Sequence, residues 1–415
     1  MSVVTVFSGT YCRGDEITGG VVEALGCELL DDAYVIHEAS KRFGIAENKL
    51  MRTLAGGLSI FNRFTHERER HASCLKLVVA ETMKRDRIVL SGFCGQLVPA
   101  DLSHVLSVCI IADIGYRCDL AMQTLGVSEK EARRTIQESD EMSTRWTDFV
   151  LGKSPWDSDI YDVFIPTNRV EVDEAVKLVC RNAHSGALVP TEDSLRAVDD
   201  FILAAQVEVM LGTRGHDVAV SARGGNVTLV INKHTVLLSR LEGELKRIAQ
   251  DVEGVKDVET KVGPGFYQPG VYRQFNPELP SKVLLVDDEK EFVETLSERL
   301  EMRDMGSTVV YSGEQALSLV REEEPEVMVL DLRMPGVNGI EVLREIKQTH
   351  RHVEVIVLTG HGSKKDEETC MKLGAFAYLQ KPVDIEKLSR TMREAYEEVK
   401  AKQKKPRVNR AKEGE

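Results

Sequence analysis

Asp287, Asp288, Asp331, Thr359 and Lys381 are the residue types that a phosphoryl-transfer site needs. Each closes an apolar run: KVLLVDD, EVMVLDL, VEVIVLTG and AFAYLQK. Carboxylates gathered at one edge repel one another, and a divalent cation relieves that repulsion. Hard oxygen ligands with room for water suit Mg²⁺. A carboxylate in such a cluster can attack a phosphoryl group and become an acyl phosphate. A lysine and a hydroxyl nearby would then contact the phosphoryl oxygens.

The elements between these residues must bring them together. From Lys282 onward, buried strands alternate with helical stretches such as EFVETLSERLEMR and GEQALSLVREEE. That alternation predicts an α/β domain with a doubly wound parallel sheet, whose ligands sit at the carboxyl ends of the strands. With VDDE, LDLRMPGVNG, VLTG and YLQKP in order, residues 281–398 resemble the flavodoxin-like receiver domain of two-component response regulators along their whole length. The resemblance implies that Asp331 accepts the phosphoryl group from a histidine kinase or phosphotransfer protein. It implies that Asp287, Asp288 and Asp331 hold Mg²⁺ with the backbone carbonyl of Arg333. It also implies that Lys381 contacts the phosphoryl group and that Thr359 and Tyr378 form the switch pair.

A second candidate lies at the start of the chain, in VFSGTYCRGDEITGG. Gly9 and Gly14 stand where a phosphate-cradling loop places glycines, but Asp15 and Glu16 stand where it needs a lysine and a hydroxyl. Residues 1–185 read as strands alternating with helices, again predicting a parallel sheet. The strand-loop-helix start, LLDDAYVIHEA, GVSEKEARRTIQESD and WDSDIYDVFIPT resemble the cytidylate-kinase-like branch of P-loop nucleoside monophosphate kinases. That resemblance implies phosphates held by backbone amides at a helix N-terminus, with lid arginines stabilising the transferred group. Ser8, Gly9, Arg13, Gly14, Arg117, Arg133, Arg134 and Arg145 are the candidate nucleotide contacts, with Asp32 and Asp140 as polar partners. The departures are specific: the family's Gly-Arg after the third strand is Gly92-Phe93, and its Asp-x-x-Arg is Asp140-Glu141-Met142-Ser143. Arg145 replaces the lost arginine only if its helix turns it inward. At an effective dielectric near 20, a unit charge about 4 Å from another is worth roughly 4 kcal/mol, so trading cations for acids favours a degenerate kinase-like domain. ATP or another nucleotide stays open as a ligand.

Residues 193–262 read helix, strand, strand, helix, strand, with a hairpin signal at Gly224-Gly225. With Gly225-Asn226-Val227-Thr228-Leu229 and the run Ala249 to Val258, this small α+β segment resembles a BON domain. Four prolines and three glycines mark residues 263–280 as an extended linker. The basic, polar stretch 399–415 reads as a disordered tail.

Composition bounds the reading. The chain has 415 residues, 42% hydrophobic and 29% charged, with a net charge of −13. The acidic balance argues against broad nucleic-acid binding, and no DNA-reading helix-turn-helix follows the receiver. No apolar run reaches the about 18 to 20 residues a membrane helix needs. The start, MSVVTVFSG, reads as a strand rather than a secretory signal. None of the eight cysteines forms a C-x-x-C pair, so buried thiols and a reducing cytoplasm are expected. The sequence therefore points to a cytoplasmic phosphorelay response regulator that signals to a downstream protein through its kinase-like and BON-like modules. The competing reading is a CMP-type nucleoside monophosphate kinase, using ATP, that the receiver gates.

Overall fold

The computed structural model describes residues 3–57, 59–235, 237–267, 276, 278–360 and 362–404. They form two compact units. One holds 3–57, 68–213 and 217–267, and the other holds 59–67, 214–216 and 278–404.

The first unit opens on a parallel sheet of β1 (Val3–Ser8), β2 (Glu28–Asp31), β3 (Ile88–Ser91), β4 (Val105–Ile111) and β5 (Val163–Pro166), in the order β2-β3-β1-β4-β5. Both faces of β1, β3 and β4 are covered, which is why these strands are near-continuous apolar runs rather than alternating ones. Val4 and Val6 point to Ile17 and Val21 of helix Gly14–Leu25 and to Ala175 and Val179 of helix Val172–Ala183. Val3, with Leu30 and Leu90, packs into the opposite core beside Leu75, Val79 and Trp146. The polar helix Glu129–Leu151 starts at a capping box, in which Ser128 and Glu131 satisfy each other's backbone, and stops at left-handed Gly152.

The same unit contains a smaller sheet, β6 (Ala219–Arg223), β7 (Asn226–Ile231) and β8 (Asp257–Val262), in that order. β6 and β7 are antiparallel around Gly224-Gly225, both at positive φ, and β8 joins β7 in parallel. Val227, Leu229 and Ile231 alternate inward against Val207 and Leu211 of helix Glu192–Thr213 and Leu245 and Ile248 of helix Leu238–Gln250. The helix-strand-strand-helix-strand order is the one expected for residues 193–262.

In the second unit, β9 (Val283–Val286), β10 (Ser307–Val310), β11 (Val327–Leu330), β12 (Glu354–Thr359) and β13 (Ala377–Gln380) form a parallel sheet ordered β10-β9-β11-β12-β13. This is the doubly wound, flavodoxin-like order. Alternate residues divide between two cores: Leu284, Val286, Met328 and Leu330 on one side, Val283, Leu285, Val327 and Val329 on the other. The strand order reverses between β9 and β11, the position where such sheets hold their ligands.

Of the expected linker, Pro264–Tyr267 forms a short 3₁₀ turn, and residues 268–275 and 277 lie outside the described ones. The last helix, Ile385–Lys404, runs past residue 398 into the stretch expected to be disordered. Lys402 there pairs with the buried carboxylate of Glu354, which gives the polar turn an anchor that periodicity does not reveal. Residues 405–415 lie outside the described part.

Candidate functional site

β9 and β11 are adjacent and in register, so the residues that follow them, Asp287 and Asp331, are neighbours at the carboxyl edge. Carboxylate oxygens of Asp287, Asp288 and Asp331 all lie within 4.8 Å of one another. Asp287 and Asp331 are buried, while Asp288 is more open. Lys381, one residue past β13, reaches across with Nζ 2.7 Å from Asp287 Oδ2 and 3.4 Å from Asp331 Oδ2. The amide of Leu332 donates to Asp331 Oδ1 at 2.7 Å, leaving Oδ2 on the lysine side. Gly339 lets the next helix close over this loop: a Cβ there would stand 2.1 Å from the carbonyl oxygen of Asp331.

Charge decides what the cluster needs. Asp287, Glu289 and Asp331 face the Lys381 ammonium, and burial of Asp287 and Asp331 removes the water that would screen them. Burial pushes the Asp287 carboxyl up, against the lowering effect of its hydrogen bond with Lys381. Burial pulls Lys381 down, but its bonds to Asp287 and Glu289 outweigh it and leave the ammonium above its usual range. An all-oxygen donor set with surplus negative charge fits Mg²⁺. Arg333 is exposed two residues beyond Asp331.

Thr359, at the end of β12, is fully buried. The hydroxyl of Tyr378 is buried without a hydrogen-bond partner among the described residues. It sits against Gly362, where a Cβ would be 1.5 Å from that oxygen and 3.0 Å from Thr359 Cγ2. Thr359 and Tyr378 therefore border the same loop, and only a glycine there leaves room for the ring. Two contributors escape sequence reasoning. Glu289 Oε1 lies 3.0 Å from Lys381 Nζ, and the ring of Phe292 lies 4.4 Å beneath that ammonium. The third acid of VDDE was the available signal for Glu289.

The N-terminal loop follows β1 and leads into helix Gly14–Leu25, as the sequence predicts. Tyr11 and Arg13 hold left-handed backbone, φ 60° and 57°, a conformation that glycine adopts at less cost. Gly14 packs on Ser8, whose Oγ would be 2.2 Å from a Cβ at that position. Arg13 turns to Glu16, at 2.9 and 2.7 Å, so the first helical turn faces its own carboxylate. Cys12 is buried, and its thiol is pushed up to about 11 by burial, so it adds no charge.

Of the candidate arginines outside the loop, Arg117 reaches it, and it is engaged. Its Nε donates to the Thr10 carbonyl at 2.8 Å, and its two terminal nitrogens bind Asp140 at 2.9 and 2.7 Å. Arg133 and Arg134 form surface pairs with Glu129 and Glu138 one helical turn away. The Arg145 side chain lies against Gly56. Asp32 is half-buried beside the end of β3 and accepts from the amides of Phe93 and Cys94; desolvation raises its carboxyl. Ser8, Gly9, Arg13, Gly14 and Arg117 are thus together, with Arg13 paired to Glu16, while Arg133, Arg134 and Arg145 are held elsewhere.

The Arg117 clamp yields a prediction. The arginine side chain is only 8% exposed and Asp140 is 31% exposed. Arg117→Met strands a half-buried carboxylate and is expected to cost about 3 kcal/mol, the low end for a broken buried pair. Urea unfolding of the full chain, followed by a tryptophan signal, should show an early loss of structure. A wild-type midpoint would remove the clamp from the account.

Comparison with known proteins agrees with this division. Residues 283–393 match the response regulator receiver domain family, and residues 3–169 match the cytidylate kinase-like family. The transcriptional regulatory protein CpxR of Klebsiella pneumoniae is 42% identical over 108 residues, 26% of this chain and 46% of that protein. The response regulator MprA of Mycolicibacterium vanbaalenii is 32% identical over 115 residues, 28% of this chain and 50% of that protein. A crystal structure of a receiver domain protein from Clostridium thermocellum is 34% identical, covering 29% of this chain and 96% of that one, with a TM-score of 0.28. The chain spans about half the length of the curated relatives it matches. Its C-terminal domain matches the response regulator receiver domain family and is homologous to the receiver domains of these two-component regulators. Among the described residues no helix is long and apolar enough to cross a membrane.

Proposed function

We propose that the chain is a cytoplasmic response regulator of a bacterial phosphorelay, in which Asp331 accepts a phosphoryl group from a histidine kinase or phosphotransfer protein. The kinase-like and BON-like modules, 1–185 and 193–262, carry the output to a downstream protein. The observation that carries this reading is the cluster of three carboxylates within 4.8 Å, with Lys381 2.7 Å from Asp287 and 3.4 Å from Asp331.

The chemistry follows from that arrangement. Asp331 Oδ2, free of the Leu332 amide, attacks phosphorus; the bond to the donor's nitrogen or oxygen breaks, and its electron pair leaves with the donor. Asp287, Asp288, Asp331 and the Arg333 carbonyl would hold Mg²⁺, which supplies positive charge for the phosphoryl oxygens. Lys381 moves from its carboxylate partners to a phosphoryl oxygen. The added charge and acceptor atoms at Asp331 bias Thr359 and Tyr378 between two arrangements. Incubation with Mg²⁺ and a small phosphodonor should label the chain at one aspartate, and peptide mapping should find it at residue 331. Label at any other position would overturn the reading.

What supports placing the phosphate chemistry here rather than at Ser8–Gly14 is the fate of the N-terminal cations. Arg117 is spent on Asp140, and Arg13 on Glu16. The match of residues 3–169 to the cytidylate kinase-like family speaks for the receiver-gated kinase, but the pairing of Arg117 and Arg13 speaks against it.

Asp287 also sets a pH dependence. Its folded-state value is raised, so its contribution to stability is full below the unfolded-chain value and is lost as pH rises through the folded one. Mg²⁺ binds the ionised form and competes with the proton. Stabilisation by Mg²⁺ is therefore expected to be larger at neutral than at mildly acidic pH, read as the shift in thermal midpoint on adding the ion. An equal shift at both would count against Asp287 as a ligand.

A further inference from the structure

The receiver unit contains a stretch that belongs, by sequence, to the N-terminal half. Residues 59–67 are grouped with the receiver, whereas the chain on both sides of them belongs to the first unit. The contacts are specific. Ser59 Oγ donates to Glu323 Oε1 at 2.6 Å, and the Ile60 amide donates to Glu323 Oε2 at 3.1 Å. Lys282 Nζ stands between Glu67, at 2.6 Å, and Glu323, at 3.1 Å. These three side chains are 13%, 13% and 8% exposed. Phe64 lies on Gly306, where a Cβ would be 2.2 Å from the ring.

The place of these contacts matters more than their number. Lys282 directly precedes β9, which ends at Asp287, and Glu323 leads into β11, which ends at Asp331. Glu326 accepts from the amides of Ser281 and Lys282 at 3.0 and 3.1 Å and ties the starts of the two strands together. The two strands that present the acids at one edge thus hold residues 59–67 at the other. A largely desolvated group of acids around Lys282, Glu67, Glu323 and Glu326 among them, is a poor source of net stability, and its geometry favours one arrangement over others. A shift of either strand changes the spacing of these charges and of the Ser59 and Ile60 hydrogen bonds to Glu323. Docking is therefore sensitive to small shifts of either strand.

We propose that residues 59–67 are an internal docking strap through which the phosphorylation state of the receiver reaches the N-terminal unit. The proposal rests on Asp331 being the phosphoryl acceptor and adds the route by which its state leaves the domain. Coupling of this kind is reciprocal: if phosphorylation alters strap docking, undocking the strap alters phosphorylation by the same free energy.

Hydrogen exchange on the full chain tests it, with and without Mg²⁺ and a small phosphodonor, while phosphoprotein content is measured in parallel. Amides in 59–67 are expected to change their exchange rate by at least about fivefold on phosphorylation, the lower bound of typical coupling. The change should be absent in Asp331→Asn. Gly306→Val, which drives a side chain into Phe64, should leave the strap fast-exchanging in both states and shift the equilibrium level of Asp331 labelling. Glu67→Gln serves where the valine variant does not fold. Full labelling of Asp331 with unchanged exchange in 59–67 overturns the strap and leaves the phosphorelay reading intact. Absence of labelling overturns the phosphorelay reading and the strap with it.

Discussion

Asp331→Asn is expected to reduce phosphodonor labelling of the full chain to background while leaving its unfolding midpoint close to wild type. The substitution replaces one oxygen by nitrogen without changing volume. Its remaining carbonyl oxygen can still accept from the Leu332 amide, which donates to Asp331 at 2.7 Å. The loop should therefore keep its shape. An amide is not a useful nucleophile toward phosphorus, and a neutral group there also weakens the cation site by one full charge. Asp287→Asn removes a ligand but leaves the nucleophile, so its label should form slowly rather than vanish. Radiolabel incorporation, with the acid and base stability of the bond, separates the two variants. Undiminished labelling of the Asp331→Asn protein would place the acceptor elsewhere.

The second large effect is expected at a residue with no functional group. A Cβ on Gly339 would lie 2.1 Å from the Asp331 carbonyl oxygen and 2.7 Å from the Leu332 Cα. Both neighbours are backbone, and the Gly339 amide is itself bonded to the Leu332 carbonyl at 3.0 Å, so nothing can rotate aside. Gly339→Ala must push the helix Gly339–Thr349 away from the acid loop. Overpacking of this kind costs roughly 1–3 kcal/mol, and a backbone neighbour argues for the upper end. Moving a reacting group by about 1 Å can cost about 100-fold in rate, so labelling should slow more than stability falls. Gly243→Ala is the control: it lies within helix Leu238–Gln250, and a Cβ there meets nothing within 4 Å. That variant should label at the wild-type rate and be as stable or slightly more so. Equal behaviour of the two alanine variants would refute the close-packing argument.

The receiver was legible because its strands are short apolar runs whose next residues do chemistry. In-register pairing of β9 and β11, buried at every residue, then delivers Asp287 and Asp331 to one edge. The middle module was legible for a related reason, since Gly224-Gly225 between two alternating runs dictates a hairpin. Side-chain alliances between distant segments were not legible. Arg117 and Asp140 lie on different helices, and nothing local says that one guanidinium clamps both a carboxylate and the Thr10 carbonyl. The fate of Arg133 and Arg134 was partly readable, because Glu129 and Glu138 stand four residues away and compete for them. Residues 59–67 show no periodicity and no motif, so their partners Lys282 and Glu323 emerge only from the folded chain.

The Arg117 clamp has a consequence for any anion approaching the N-terminal loop. A nucleotide phosphate and Asp140 would compete for the same guanidinium, and the carboxylate is already in place with two short bonds. Entry would require the loop to give up its brace on the Thr10 carbonyl or Asp140 to release its partner. Ligand binding and local folding thus draw on one cation, and an increase in one must come as a loss in the other.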